Sequence, residues 1–304
     1  MLMNPHNSIA GAMNARPQTT GSMPGTLPAD LADQVARALQ EDIGAGDVTA
    51  ALIPADTLAR ATLVTREPMV LCGSAWLEET FRQIDPLVKV EWLAAEGDQL
   101  PADAALCEIR GRARSILTGE RCALNFLQTL SGTATVTRRY ADVVAGTQCR
   151  ILDTRKTLPG LRLAQKYAVR CGGGHNYRLG LYDRVLIKEN HIVAAGSIPA
   201  AIRAARRNSP GTEVEVEVET LQEFAIALAE APDYIMLDEL SLDDMRTAVT
   251  QRNAAGSRAR LEASGSVDMH SLVQIAATGV DFVSIGALTK HVHAIDLSLR
   301  FQTL

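Results

Sequence analysis

The chain has 304 residues, of which 47% are apolar and 21% are charged, and its 30 basic and 35 acidic side chains give a net charge of −5. This length and apolar content predict a folded protein with a sizeable core, in one large domain or two smaller ones. The acidic balance and the 4% aromatic content argue against a nucleic-acid-binding protein, which needs a basic surface and stacking side chains.

The cysteines and the hydropathy pattern indicate the compartment. Five cysteines without a CxxC motif or a Cys/His cluster predict neither a disulfide framework nor a zinc site, and favour a reducing environment. No apolar run approaches the length of a membrane span, and the N-terminus lacks the apolar core of a signal peptide. We therefore expect a cytoplasmic protein with no membrane partner.

The first half of the chain predicts a small α/β layer domain. Residues 1–28 show no period and predict a mobile tail, after which a helix is expected to begin at a side-chain cap, Asp30. Short β-prone runs between residues 60 and 111, with one helix near Trp76–Ile84, predict the layer domain itself. Residues 114–145 have helical period, and the Ser131-Gly132 pair predicts a break into two helices.

Beyond residue 148, six short apolar runs alternate with helix-length segments, which is typical of parallel βαβ units. The glycine triplet at 172–174 lacks the spacing of a dinucleotide fingerprint, so a closed barrel is favoured over an open doubly wound sheet. The predicted strands are CRILD (149–153), DRVLIK (183–188), EVEVEVE (213–219), DYIMLD (233–238), ARLEAS (259–264) and VDFVSIG (280–286).

Ionisable side chains follow these strands, at the ends that converge on the mouth of an α/β barrel. In the strand 213–219, glutamates alternate with valines, so the glutamates either point into the barrel or face water on an edge strand. Glu217 and Asp238, on neighbouring strands, would form the pair of oxygen ligands that Mg²⁺ uses together with substrate phosphates.

The cations near these strand ends predict an anionic substrate. Arg162 and Lys166 have an alternative, a pair of like charges on a helix surface, and Arg121 reaches either a salt bridge, a ligand or a partner subunit. The turn at Ser264-Gly265, with Gly286, can present backbone N–H groups to a phosphate. The cations are Arg155, Lys156, Arg162, Lys166, Arg178 and Lys188.

At these residues the chain resembles the quinolinate phosphoribosyltransferase family. The matching segments are TGERCALNFLQTLSG (118–132), LDTRKTLPGLR (152–162), KYAVRCGGG (166–174), LIKENHI (186–192), EVEVE (213–217), IMLD (235–238), EASG (262–265) and VSIGALTKHVHAIDLSLRF (283–301). The resemblance implies an α/β fold in which a sandwich domain (29–123, with a C-terminal return of 292–304) is joined to an incomplete α/β barrel (124–291).

The resemblance also implies the reaction and the assembly. Quinolinate and phosphoribosyl pyrophosphate would give nicotinate mononucleotide, pyrophosphate and CO₂ with Mg²⁺, in a homodimer whose sites are shared between subunits. Arg155, Arg178 and Lys188 would hold the quinolinate carboxylates, with Arg121 entering from the partner subunit. Further roles are implied for Lys156 between both substrates, Glu217 and Asp238 on the Mg²⁺–ribose–pyrophosphate unit, Ser264, Gly265 and Gly286 on the 5′-phosphate, and Thr154, Arg162 and His191 among the substrate-binding residues.

The chain departs from the family pattern at two places. Tyr177 stands where the family has a histidine, so we expect its hydroxyl to donate to a substrate carboxylate, with His175 as a substitute ligand if its loop places it inward. The alternative is that Tyr177 only packs and His175 faces water. Glu239 stands where the family often has asparagine.

Three other functions remain open from the residues alone. One is a phosphoribosyltransferase acting on another pyridine or aromatic acid. Another is a Schiff-base aldolase with Lys156 or Lys188 as nucleophile. A third is a silent dimer that only binds phosphorylated ligands.

Overall fold

A computed structural model describes residues 25–304, so the predicted tail lies outside the described residues except for 25–28. The first layer is a four-stranded antiparallel sheet in the order β12-β1-β5-β3, next to a short two-stranded pairing of β2 with β4. Its strands are β1 (Leu58–Thr65), β2 (Met69–Val70), β3 (Lys89–Trp92), β4 (Gln99–Leu100), β5 (Ala105–Arg112) and β12 (Leu297–Thr303).

Helix α2 (Ser74–Ile84) packs on this layer, and α1 (Leu31–Ile43) packs against α2. The predicted side-chain cap at Asp30 is wrong. Asp30 does precede the first helical residue, but its carboxylate accepts from Gln34 Nε2 at 2.9 Å rather than from a backbone N–H.

The predicted break at Ser131-Gly132 is also wrong, because α3 (Ala113–Val143) is one continuous helix of 31 residues. Both residues serve close packing instead. The Ser131 hydroxyl accepts from the backbone N–H of Cys72 and donates to its carbonyl, both at 3.0 Å. A Cβ on Gly132 would lie 1.9 Å from the carbonyl oxygen of His293, so only glycine lets that segment lie against the helix.

The second unit is a six-stranded parallel sheet in the order β6-β11-β10-β9-β8-β7, which confirms the predicted α/β fold class. The closed barrel expected from the strand count is wrong, since β6 and β7 are the outer strands of this sheet. The strands are β6 (Arg150–Leu152), β7 (Val185–Ile187), β8 (Val214–Val218), β9 (Tyr234–Asp238), β10 (Arg260–Ser264) and β11 (Phe282–Ser284).

Helices separate and cover the strands of this sheet. Within residues 25–304 no helix is both long enough and apolar enough to cross a membrane. The remaining helices are α4 (Arg162–Cys171), α5 (Glu189–Ala195), α6 (Ile198–Asn208), α7 (Leu221–Ala229), α8 (Leu242–Ala254), α9 (Met269–Ala276) and α10 (Ala287–Lys290), with a short 3₁₀ turn at Ala50–Leu52.

Strand β8 shows how the sheet divides apolar from polar side chains. It lies between β7 and β9, so the edge-strand alternative is wrong. Its valines pack into the core with the surrounding helices, and by alternation its glutamates face the barrel interior. Glu215 is fully buried there, and Glu217 lies nearer the mouth.

We expect Gly132→Ala to lower the free energy of unfolding by roughly 1–3 kcal/mol, because an added methyl group overpacks a closed contact with the backbone at His293. Chemical denaturation would measure the change. Asn125→Ala, at an exposed position of the same helix, is the control and should alter stability little. Equal stability of wild type and Gly132→Ala would mean that the helix and the segment at 293 are not in contact.

Candidate active site

Residues at the carboxyl ends of neighbouring parallel strands lie close together. At β7 and β8, the Lys188 ammonium donates to the Glu217 carboxylate in an ion pair. At β6 and β11, a Cβ on Gly286 would lie 3.2 Å from Cδ of Lys156 and 3.8 Å from the Thr154 hydroxyl. The predicted site residues on these four strands therefore face one mouth.

A buried ion pair anchors this mouth from below. Lys166 Nζ lies 2.5 Å from Asp153 Oδ1, and both side chains are almost completely buried. Burial raises the pKa of Asp153 and lowers that of Lys166, while their mutual attraction opposes both shifts. The surface-pair alternative for Lys166 is wrong, because this lysine is an internal partner of Asp153.

The same carboxylate also holds the segment after the glycine triplet. Asp153 accepts from Asn176 Nδ2 at 2.7 Å and from the Tyr177 backbone N–H at 2.8 Å. His175 forms a parallel β-bridge with Leu152, so the segment runs beside β6. The end of β6, helix α4 and residues 175–177 are therefore fixed to one another by one carboxylate.

Arg162 brings the two substrate-binding arginines of the prediction to the same place. Its guanidinium donates to the Arg155 carbonyl at 3.4 Å and to the Leu179 carbonyl at 3.3 Å, as well as to the Thr157 hydroxyl at 3.1 Å. Because one guanidinium reaches both loops, Arg155 and Arg178 lie on adjacent backbone segments. The donors of Arg162 are therefore used to hold the loops at 155–157 and 179.

Arg155 and Arg178 each keep one unused hydrogen-bond donor that is shielded from water. Within residues 25–304, the Nε of each is buried and has no hydrogen-bond acceptor. The guanidinium of Arg178 makes one long contact, from Nη1 to the Arg184 carbonyl at 3.5 Å. A buried cationic N–H without an acceptor is costly, so this pair is suited to an anionic ligand.

Two buried side chains position the loop that carries Lys156. Gln165 Nε2 donates to the Thr289 carbonyl at 2.9 Å, and Gln165 Oε1 accepts from the Leu158 N–H at 2.8 Å. The Thr289 hydroxyl donates to the Lys156 carbonyl at 2.8 Å. The Lys156 side chain is left exposed at the mouth.

The hydroxyl of Tyr177 does not point to the mouth as expected. It is buried and donates to Glu215 inside the barrel, and this burial raises its pKa. His175 has an exposed side chain, and partial desolvation and Arg150 lower its pKa. The expectation of a Tyr177 donor aimed at substrate is corrected, since the hydroxyl is taken by Glu215.

Glu215 and Glu262 form an internal carboxyl pair below the mouth. Both are fully buried, and burial together with their mutual repulsion raises the pKa of Glu262 well above its usual range. Glu215 has Tyr177 as a donor, whereas neither oxygen of Glu262 has a partner within the described residues. Burial beside Glu215 therefore favours the protonated form of Glu262.

Glu217 and Asp238 offer hard oxygen ligands on adjacent strands. Glu217 is paired in register with Met236, which places Asp238 on the same face two residues further along β9. Within residues 25–304 no side chain donates to Asp238. Two carboxylates on one face fit Mg²⁺, which uses one or two carboxylates with waters and substrate phosphates, provided that Lys188 releases Glu217.

A second group of metal-ligating atoms lies away from the mouth, where Cys72, Glu96 and Cys171 bring their ligand atoms within 4.8 Å of one another. Glu96 already accepts from the backbone N–H groups of Gly73 and Ser74, at 2.8 and 3.1 Å, so it caps α2. Thiols are also poor ligands for Mg²⁺, so this group is separate from the carboxylate pair.

Two predicted residues lie apart from this constellation. His191 Nδ1 accepts from the Lys188 backbone N–H at 2.9 Å, so its ring caps α5. Arg121 is exposed on α3 and has no acceptor within the described residues.

Comparison with known proteins decides the family. The profile of the quinolinate phosphoribosyl transferase C-terminal domain matches residues 133–300, and that of the N-terminal domain matches residues 47–131. The chain belongs to the quinolinate phosphoribosyltransferase family. Nicotinate-nucleotide pyrophosphorylase [carboxylating] of Mycobacterium leprae is 42% identical over 273 residues, which are 88% of this chain and 95% of that protein.

Other members of the quinolinate phosphoribosyltransferase family agree in sequence and structure. A probable nicotinate-nucleotide pyrophosphorylase [carboxylating] of Bacillus subtilis is 40% identical, over 85% of this chain and 89% of that protein. The solved structure of the nicotinate-nucleotide pyrophosphorylase from Francisella tularensis superposes with a TM-score of 0.88 at 48% identity, over 92% of this chain and 99% of that one.

Sequence reasoning missed the residues that build the site from below. No periodic pattern links Asp153 to Lys166, and a lysine in a polar stretch predicts exposure. Glu262 had a usable signal, because it precedes the predicted turn by two residues and must face the interior of an alternating strand. Gln165, Asn176 and Thr289 carried no signal.

We expect Glu262→Gln to stabilise the protein increasingly as pH rises. The unfolded glutamate loses its proton near pH 4.3, whereas the folded one keeps it, so wild-type stability falls with pH at up to about 1.4 kcal/mol per unit from this residue. The uncharged glutamine lacks this penalty. Denaturation at pH 5.5 and pH 8 would measure the difference, and an advantage for the variant that is independent of pH would contradict the buried proton.

Proposed function

We propose that this chain transfers a phosphoribosyl group from phosphoribosyl pyrophosphate to quinolinate and releases pyrophosphate and CO₂, forming nicotinate mononucleotide. The observation that carries the proposal is that Arg155 and Arg178 each keep a buried Nε–H without an acceptor, on loops at the end of the sheet that also carries the Glu217 and Asp238 carboxylates. Such a division suits an aromatic dicarboxylate on one side and a metal-bound ribosyl pyrophosphate on the other.

The side of the mouth that would bind quinolinate carries positive charge, which suits a substrate with two carboxylates. Arg155 and Arg178 donate to one carboxylate through their unused N–H groups, and Lys188 binds the second once its ion pair with Glu217 opens. Arg162 positions the loops of both arginines rather than binding the substrate directly.

The phosphoribosyl side is formed by the opposite strand ends. Gly265 has a φ of +134°, a conformation that favours glycine, and Gly286 has no side chain between its backbone and Lys156. Ser264, Gly265 and Gly286 hold the 5′-phosphate, and Lys156 with Thr154 lies between the two substrates. Glu217 and Asp238 would hold Mg²⁺ together with the substrate, and the ion would supply positive charge for the leaving pyrophosphate.

The chemistry follows from where the charges lie. As the bond from ribose carbon to pyrophosphate breaks, positive charge develops on the ribose, and the carboxylates of Glu217 and Asp238 stabilise it. The quinolinate nitrogen forms the new bond to that carbon, and Lys156 stabilises the departing anion. The ring nitrogen, now cationic, stabilises the electron pair that remains on the adjacent ring carbon when its carboxylate leaves as CO₂, and a proton then binds that carbon.

The proposal includes a homodimer in which Arg121 completes the neighbouring site. Two observations support it: the side chain is exposed, and it has no acceptor in its own chain within residues 25–304. A cytoplasmic location remains part of the proposal.

The Schiff-base aldolase is disfavoured by the ion pair at Lys188, which holds this ammonium beside Glu217 and so opposes the neutral amine that such a reaction needs.

We expect the purified protein to release CO₂ and pyrophosphate from quinolinate and phosphoribosyl pyrophosphate, and to use nicotinate with a kcat/KM lower by about thirtyfold or more, since a buried charge pair that loses one partner costs at least roughly 2 kcal/mol. Omitting Mg²⁺ is the control and should abolish turnover. Comparable kcat/KM for the two acids would contradict the assignment.

We expect Arg121→Ala and Lys156→Ala each to be inactive alone but to regain activity when mixed under subunit exchange. Every heterodimer then has one site with both residues intact, so an equal mixture should reach about a quarter of wild-type activity. Sedimentation should show that both variants form dimers. Heterodimers without activity would mean that Arg121 does not serve the neighbouring site.

A further inference from the structure

The carboxylate of Glu239 lies on the turn that follows β10. Its Oε1 accepts from the Ser266 backbone N–H at 3.1 Å and from the Ser266 hydroxyl at 3.3 Å. A Cβ on Gly265 would lie 2.7 Å from Glu239 Cδ and 2.8 Å from Oε2, so the carboxylate rests directly against the glycine backbone. An anion of the chain itself therefore occupies this turn.

The backbone directs the side chain to this place. Glu239 has a φ of +52°, a left-handed conformation that a residue with a long side chain seldom adopts. Its own N–H donates to the Ser264 carbonyl at 3.0 Å, which joins the end of β9 to the turn. A conformation of this kind persists only where the surroundings impose it, and such positions are common at ligand sites.

A carboxylate and a phosphate compete for the same donors. The Ser266 N–H that binds Glu239 is one of the backbone groups able to cradle a phosphate oxygen, and two anions in one small turn repel each other. We propose that Glu239 is an internal competitor for the 5′-phosphate, which must leave the turn before the phosphoribosyl substrate binds. The inference rests on the function proposed above.

Because the Glu239 carboxylate must first be displaced, the apparent affinity is lower for every ligand that binds this turn. The free turn is a minor state, and apparent affinity falls by the fraction of molecules in that state. A substrate anchored also by its ribose and by a metal-bound pyrophosphate can displace the carboxylate, whereas a phosphate ester without those anchors competes poorly. Glu239 thereby sets selectivity for the activated substrate over simple sugar phosphates.

The exposed location of Glu239 makes the movement inexpensive. Its side chain borders water, so the carboxylate can be solvated when it swings away from Ser266. Within the described residues, no lysine or arginine is paired with Glu239, so the turn is its main attachment.

The test is the dissociation constant of ribose 5-phosphate, measured by calorimetry at constant ionic strength. We expect Glu239→Ala to bind it about tenfold more tightly than wild type, because a hydrogen-bonded charged competitor has been removed. Glu239→Gln, which keeps the shape without the charge, should fall between the two. Quinolinate affinity should not change in either variant.

Glu219→Ala is the matched control, because it removes one exposed carboxylate just after β8 without opening the turn. It should change the dissociation constant of ribose 5-phosphate by less than about twofold, since the interaction of an exposed charge with a ligand that it does not contact is screened by salt. Tightening as large as that of Glu239→Ala would show a general charge effect and overturn the inference.

Turnover of phosphoribosyl pyrophosphate by wild type separates the two proposals. If wild type is active and Glu239→Ala binds ribose 5-phosphate no more tightly, Glu239 is not a competitor and the proposed function stands. If wild type does not use phosphoribosyl pyrophosphate, the proposed function fails and this inference fails with it.

Discussion

The ion pair between Asp153 and Lys166 is the contact on which the geometry of the candidate site depends. One carboxylate binds a lysine of α4, the amide of Asn176 and the N–H of Tyr177, and it directly precedes the loop of Arg155. Buried ion pairs contribute little net stability but tolerate few arrangements. Here the fixed geometry of the pair also fixes the positions of Arg155 and Arg178. Arg155 follows Asp153 by two positions, and Arg178 directly follows Tyr177, whose N–H binds Asp153.

The mouth of the sheet is cationic on one side although the chain as a whole is acidic. The acidic side chains near it are neutralised in different ways: Glu217 by Lys188, Asp153 by Lys166, and Glu262 by retaining its proton. Few fixed negative charges therefore oppose an anionic ligand beside the arginines. The electrostatics of the site arise from local pairing and burial, which net charge does not describe.

Local periodicity carried most of what could be predicted, including the six parallel strands and the inward-facing glutamates of β8. Contacts between residues distant in sequence were beyond its reach. Tyr177 is a plausible donor to a ligand until Glu215, 38 residues later, is found beside its hydroxyl. Gly132 has the composition of a turn, yet a backbone from the far end of the chain explains it. Such misreadings arise where tertiary packing overrides a local signal.

The pairing of β12 with β1 has a consequence for biosynthesis. During synthesis, one edge of β1 stays exposed until residues 297–303 are made, since Ala59 pairs with Thr303 and Thr65 with Leu297. An unpaired edge strand is a template for wrong association. The small domain therefore completes its sheet only after residues 297–303 have been synthesised, and β1 needs protection for the time taken to make the six parallel strands between them.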